Sequence, residues 1–566
     1  MGLSFFEQCL VNSLSTNRPV LIVDDSPMYR SAAKGMLQKL GYQPHLLHFA
    51  QDAKEAVRQC KANSYELIFF DYNLGEHANG LQLIEELKRV ELISLDCVII
   101  IVTGDATPEV VRGFMELEPD GYLLKPLNYM TLKDRLPTFT RKKRMLEQIL
   151  ASFSKKAFEE TIRLIDESFF HEEDIALRAQ TIKAESLIAL QKYNEAKNVL
   201  IPLNEGYENS KVKLLLTQLY ISQRQFQQAL FILEPLFTDP FHAAAALHKA
   251  AECNLFINKL HEAKELIEKA VSISPKNIDR HWLSTYINIA SLEYGESLSN
   301  IKRMINESKN SSRETIEMYQ LGACLTLDLT QFSKEANKKT QLGALSTWIE
   351  SWRANFSRTD YKPVELLVLS RAYLLTGDQR KSQQMLSDYR ELVSSIEGHR
   401  ASLLEMIELS RIQLLSGNVT EYKDLSEKIN RKLKHGPLET TNLLMMQYLS
   451  KWRAKTQHSR SQAVELKKRA IQLLGQKNYE KAVTILANYQ EYSIYDNELT
   501  LLLYTNLSKA WPNNWSKKDV IHLAIRCHDQ MKGTEFEQRK EFLNSSRTLS
   551  NQLGYMDLTI KRASAA

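Results

Sequence analysis

The chain has 566 residues, a net charge of +5, 43% hydrophobic and 25% charged residues, and only 19 Gly and 14 Pro. This composition excludes a collagenous, low-complexity or disulfide-stapled protein and favours two or more globular domains rich in long helices. No apolar stretch approaches the roughly 20 residues that span a bilayer, so no membrane insertion is expected.

The first fourteen residues carry apolar positions at Leu3, Phe5, Phe6, Leu10, Val11 and Leu14 together with Glu7 and no basic start. They read as a short amphipathic helix in an extension over 1–17, not as a secretory leader. From residue 18 to 137, short apolar runs alternate with helical patterns. Strands are predicted at Pro19–Val23, Gln43–Phe49, Leu67–Phe70, Val98–Val102 and Gly121–Leu124. Helices are predicted near Met28–Leu40, Ala53–Cys60, Leu81–Val90, Pro108–Leu117 and Tyr129–Leu136. Strict βα alternation predicts a doubly wound, five-stranded parallel sheet. Polar groups close the strand-forming runs: Asp24 and Asp25, then Asp71, Thr103 and Lys125. In such a sheet the ligand site lies beyond the carboxyl ends of the strands, so these groups should converge on one rim.

Val-Asp-Asp-Ser at 23–26, Phe-Asp-Tyr-Asn at 70–73, Val-Thr-Gly at 102–104 and Gly-Tyr-Leu-Leu-Lys-Pro at 121–126 resemble the signature of bacterial response-regulator receiver domains, the CheY-like fold. The resemblance implies that Asp71 accepts a phosphoryl group from a sensor histidine kinase. It implies a Mg²⁺ site on Asp24, Asp25, Asp71 and the backbone carbonyl of Asn73, all hard oxygen donors. Lys125 would contact the phosphoryl oxygens as a point charge. Thr103 would bond the acyl phosphate, and Tyr122 would turn inward as its switch partner. Pro126 would follow a cis peptide bond, and the face over 106–135 would report the state. Asn73 and Asp105, each two positions after a site residue, would tune access of hydrolytic water. The loop after Asp71 departs from the family in lacking its common proline, and Gly104 stands where Ala or Ser is frequent.

Pro137 and the basic run Arg141-Lys-Lys-Arg144 mark the domain boundary, with a linker helix expected over 138–150. The run reads as a solvated helical turn, with a phosphate or nucleic-acid contact as the sharper alternative. From 151 to 566 apolar residues recur at three and four, predicting an all-α region. Gln191–Ala196, Arg224–Ala229 and Asn258–Ala263 each place an apolar residue three before an Ala, and the Ala residues are 33 and 34 apart. This resembles the tetratricopeptide repeat, a helix pair that stacks into a solenoid. The pattern is clearest over 179–276 and weaker over 364–425, where Arg371–Asp378 and Arg411–Asn418 match each other, and over 463–510. Residues 280–360 are helical without a readable phase, and Trp511–Trp515 should form a loop at a binding edge.

The domain order resembles VieB-type auxiliary response regulators. It implies a non-enzymatic bacterial cytoplasmic protein whose solenoid binds a protein: the kinase, another response regulator, or a second copy of itself. The region after 136 carries a net +10, too mild to call for nucleic acid. A nucleic-acid-binding solenoid and a phosphatase acting on a partner's phosphoaspartate remain the alternatives. No Cys pair has metal or redox spacing, so all six are expected as thiols.

Overall fold

A computed structural model describes residues 18–554 apart from 76–78, 106, 208, 310, 312, 334, 377, 417, 436–439, 491–496 and 533. The expected N-terminal helix therefore lies outside the described residues. Chain contacts divide the molecule into two compact units, 1–284 with 303–314, and 285–302 with 315–566.

The first unit opens with the expected parallel sheet. Its strands are β1 (Val20–Val23), β2 (Leu47–Ala50), β3 (Leu67–Phe70), β4 (Val98–Thr103) and β5 (Gly121–Leu124), in the order β2-β1-β3-β4-β5. Strands β1, β3 and β4 are buried along their whole length, which is why they read as unbroken apolar runs. Around the sheet lie α1 (Pro27–Lys39), α2 (Ala53–Ala62), α3 (Gly80–Arg89), α4 (Pro108–Glu116) and α5 (Tyr129–Met145). Two cores, one on each face, hold the layers together.

The boundary region differs from the expectation. Helix α5 runs unbroken through Pro137 to Met145, and α6 (Glu147–Ser154) follows, so the stretch 138–150 is shared between two helices. The basic run is the last turn of α5, with Arg141 and Lys142 exposed and Lys143 and Arg144 half-buried, and all four are paired. Lys143 pairs with Asp120 at 2.9 Å and Arg144 with Glu66 at 2.6 Å, while Lys142 pairs with Asp174 at 2.6 Å and Arg141 with Glu172. Four consecutive cations thus stitch the sheet domain to the helices that follow.

Those helices are α7 (Phe158–Glu167), α8 (Glu173–Ala189), α9 (Tyr193–Gly206), α10 (Ser210–Ser222), α11 (Phe226–Leu233), α12 (Ala243–Phe256) and α13 (Leu260–Ile273), followed by the start of α14 (Ile278–Ala290). Successive pairs are joined by one repeated turn. Lys156, Gln191, Arg224 and Asn258 hold φ of 59°, 58°, 57° and 62°, the left-handed region. At Gln191 the amide donates to Ile188 O at 2.9 Å and the next amide to Leu187 O at 2.8 Å, the Schellman pattern that satisfies terminal carbonyls. Thr161, Ala196, Ala229 and Ala263, three residues into the second helix of each pair, have no exposed surface. A larger side chain there would push the paired helices apart.

The second unit is all helical: α15 (Tyr294–Ser308, up to residue 302), α16 (Ile316–Gln331), α17 (Glu335–Asn355), α18 (Arg358–Thr376), α19 (Gln379–Ser395), α20 (Leu403–Leu415), α21 (Val419–His435), α22 (Thr440–Gly475), α23 (Tyr479–Gln490), α24 (Asn497–Leu507), α25 (Lys517–Met531) and α26 (Lys540–Leu553). The same turn recurs at Leu292 and Lys477, with φ of 61° and 57°. Leu292 supplies the phase that the sequence hid, with the fully buried Ser297 in the small-residue position. At the centre, Asp328, Glu408, Arg371 and Arg411 form a buried ionic cluster. Arg371 Nη1 reaches both Glu408 oxygens at 2.7 and 2.8 Å, Arg411 Nη2 reaches Asp328 at 3.1 Å, and Trp452 Nε1 donates to Asp328 at 3.1 Å. Trp511 and Trp515 pack on the C-terminal core and do not project from it. Cys60, Cys97, Cys253, Cys324 and Cys527 are buried free thiols. Among the described residues no helix is long and apolar enough to cross a membrane.

Candidate functional site: an acid cluster at the sheet edge

Strand register brings the site together. Val23 pairs with Phe70 and Thr103 with Leu124, so Asp24 and Asp71 leave neighbouring strands side by side. The ladder continues one step further: Asp71 N donates to Val23 O and Lys125 N to Thr103 O, both at 3.0 Å. Asp24, Asp25 and Asp71 offer carboxylate oxygens that all lie within 4.8 Å of one another. Asp24 and Asp71 are buried, while Asp25 and Asn73 face solvent.

Lys125 Nζ bridges the two buried acids, 2.7 Å from Asp24 Oδ2 and 2.8 Å from Asp71 Oδ2. Its peptide bond to Pro126 is cis. Burial works against the ammonium charge, but the bonds to Asp24 and Asp71 outweigh it and raise its pKa. The Asp71 carboxyl is pushed up, first by burial and further by Asp24, against the pull of Lys125. Its other oxygen, Oδ1, accepts the Tyr72 amide at 2.8 Å. Asp24 Oδ1 accepts the Ser26 amide at 2.9 Å, and Ser26 caps α1 with Pro27 in its first turn.

Thr103 is fully buried, and its Oγ1 accepts the Asp105 amide at 3.1 Å, leaving its proton to donate. The Tyr122 ring packs on the core, and its hydroxyl donates to the Asp105 carbonyl at 3.0 Å. The structure thus brings Asp24, Asp25, Asp71 and Lys125 together, and a second group, Thr103 and Tyr122 linked by Asp105, meets them through the Lys125–Thr103 backbone bond.

Three residues were missed by sequence reasoning. The Lys125 ammonium sits 4.4 Å from the Tyr29 ring centroid, a cation–π contact that also orients the amine. Burial, then Asp24 and Asp71, keep the Tyr29 phenol protonated. Tyr72 packs edge-on to Phe114 of α4 at 5.9 Å. Gly80 opens α3 against the Asp71 carbonyl, where a Cβ would stand 1.9 Å from that oxygen. An aromatic residue in the first turn after an acid pair was the only cue for Tyr29.

Residues 20–137 match the family model described as "Response regulator receiver domain". The chain is 33% identical over 106 residues to a gliding motility regulatory protein of Myxococcus xanthus, covering 19% of this chain and 13% of that protein. It is 29% identical over 127 residues to the chemotaxis protein CheY-3 of Vibrio cholerae, covering 22% of this chain and 92% of that one. A CheY-like receiver structure from Methanospirillum hungatei aligns at 24% identity and a TM-score of 0.21, covering 23% of this chain and 98% of its own.

Proposed function

From a receiver domain at residues 20–137, we propose that the chain is a two-component response regulator phosphorylated on Asp71 by a sensor histidine kinase. One observation carries the reading: a single ammonium, Lys125, bridges two buried carboxylates beside a buried hydroxyl, Thr103. Lys125 and Thr103 would receive a phosphoryl group placed on Asp71, one as a charge and the other as a hydrogen-bond donor. In the transfer an Asp71 oxygen attacks phosphorus, the P–N bond to the donor imidazole breaks, and the imidazole nitrogen keeps the electron pair. Catalysis here is positioning and charge neutralisation.

The donor set fits Mg²⁺. Three carboxylates share one rim, one of them open to water, which suits an ion that keeps part of its hydration. Asp24, Asp25, Asp71 and the Asn73 carbonyl would hold it, and it would offset the negative charge that gathers on transfer. Thr103 and Tyr122 form the switch through Asp105.

The helical region is the output. Its repeated left-handed turns and buried small residues support a tetratricopeptide-like solenoid over 151–566, read as a protein-binding surface. It engages a kinase or a second regulator and so modulates phosphotransfer. The basic run at 141–144 is paired with Glu172, Asp174, Asp120 and Glu66, and the cue for the nucleic-acid alternative is the mild +10 balance after residue 136.

The test is capture of proteins from native lysate by the full chain, with and without Mg²⁺ and beryllofluoride, beside labelling by a cognate kinase. A partner captured in only one state, together with a label that Asp71→Asn abolishes, is expected. Label retained on Asp71→Asn would move the acceptor elsewhere.

A further inference from the structure

The turn between α13 and α14 carries a set of side chains that reach the phosphoacceptor loop. Its shape is fixed internally: His281 Nε2 donates to Pro275 O at 2.6 Å, and Asn277 Oδ1 accepts the Arg280 amide at 3.1 Å. Lys276 at its tip donates to the Tyr72 hydroxyl at 2.9 Å, with its ammonium 5.4 Å from that ring's centroid. Arg280, only 3% exposed, holds both Glu116 oxygens at 2.9 Å, and Asn277 Nδ2 reaches the same carboxylate at 3.3 Å. On the other side, Gln82 of α3 donates to the Glu307 carbonyl.

Tyr72 is the residue through which this contact meets the chemistry. Its amide is hydrogen-bonded to Asp71 Oδ1, and its ring lies between Phe114 and Lys276. The Asp105 carboxyl is held below its ordinary pKa first by the Thr107 amide and hydroxyl, with a smaller pull from Lys276. Asp105 is the residue that links Thr103 to Tyr122. One lysine from the helical region therefore meets the residue next to the phosphoacceptor.

We propose that Lys276, with Arg280 behind it, clamps the receiver in its unphosphorylated arrangement, so that modification of Asp71 and release of the 274–281 segment are one coupled equilibrium. The direction follows from the bonds. The contact is made with Asp71 ionised and bonded to Lys125. Phosphorylating Asp71 turns the carboxylate into an acyl phosphate and moves the charge that strengthens the Tyr72 N–H bond onto the phosphoryl oxygens. It also recruits the Thr103 hydroxyl, on which the Asp105 amide rests. The Tyr72 anchor of Lys276 shifts with it, and a segment also held by Arg280 and Asn277 on Glu116 tolerates little displacement. By reciprocity, whatever loosens the clamp favours the modified state to the same degree. The contact lies on Tyr72, α3 and Glu116 at the end of α4, so it meets one end of the 106–135 face that the sequence suggests as the reporter.

The proposal rests on Asp71 being the acceptor, and the experiment separates the two. Full-length protein is titrated with beryllofluoride in Mg²⁺, with hydrogen exchange followed at 98–105, 108–118 and 274–281. The wild type is expected to gain protection at 98–105 and lose it at 274–281. Lys276→Met and Tyr72→Phe, the second removing only the accepting hydroxyl, should lower the beryllofluoride midpoint by about five-fold or more. Lys276→Arg should restore it. Binding with the same midpoint in all variants and no change at 274–281 would overturn the clamp and leave the acceptor assignment standing. No binding to any variant would overturn both.

Discussion

Replacing Asp71 with Asn removes one negative charge from a crowded site, and the structure gives the sign of the result. Asp71 lies within 4.8 Å of the Asp24 and Asp25 oxygens, a repulsion of about 3.5 kcal/mol per pair at an effective dielectric of 20. Solvent screening reduces the share from exposed Asp25. The 2.8 Å contact with Lys125 returns about 6 kcal/mol on the same scale. Lys125 therefore outweighs Asp24, and burial, the largest effect, reverses that balance, which is why the Asp71 pKa is raised. A raised carboxyl favours the folded state below its ordinary pKa. That contribution fades as pH climbs through the raised folded value. In chelator, wild-type stability should therefore fall as pH rises across that window, while Asp71→Asn stays flat and is more stable at neutral pH by about 1 kcal/mol. With Mg²⁺ the ranking should invert, because the wild type keeps the full donor set. Thermal melting of the full chain, read at the transition of the sheet domain by exchange at 98–102, measures both arms. A loss of more than about 2 kcal/mol for the variant in chelator would mean that the Asp71 carboxylate is a net anchor for Lys125, against the reasoning above.

Two further outcomes follow from packing. Gly80→Ala should destabilise the sheet domain by about 2 kcal/mol or more and abolish labelling, since its Cβ would collide with the Asp71 carbonyl; a labelled, stable variant would show that the loop can move aside. Asp328→Asn should cost the second unit about 3–5 kcal/mol by leaving Arg371 and Arg411 with Glu408 alone. Limited proteolysis of 315–554, with the sheet domain as internal reference, would reveal this as selective loss, and equal resistance would mean that the cluster relaxes around one missing charge.

The sheet and its rim were legible because buried parallel strands are written as continuous apolar runs, and each site residue directly follows or ends one. Tyr29 was not, because its contact depends on how α1 settles against Lys125, a tertiary matter. The run Arg141–Arg144 is solvated at Arg141 and Lys142, but the pairing of its members was hidden because Glu66, Asp120, Glu172 and Asp174 lie elsewhere in the chain and each is ordinary alone. The repeat was readable where an Ala marks the crossing of two helices. It vanished at 280–360 because Ser297 fills that position, still 34 residues after Ala263. Thr161 does the same at the start, 35 residues before Ala196. A search for any small residue three after an aromatic would have found both. The matching Arg371 and Arg411 motifs were visible as repetition, but not their shared target, Asp328, which lies upstream in α16.

Helix α5 can be viewed as a lever. It begins four residues after Lys125 and continues without a joint to Met145, a rod of about 25 Å at 1.5 Å per residue. A tilt of about 5° at its origin would carry its far end about 2 Å, given that length. That end bears the four cations whose partners sit on both sides of the boundary, with separations of 2.6–2.9 Å at Lys142, Lys143 and Arg144. A displacement of that size exceeds what such contacts tolerate. A small rotation at the reactive rim would reach the junction as a change of ionic register, carried through the backbone, with Pro137 the point at which the rod would bend first.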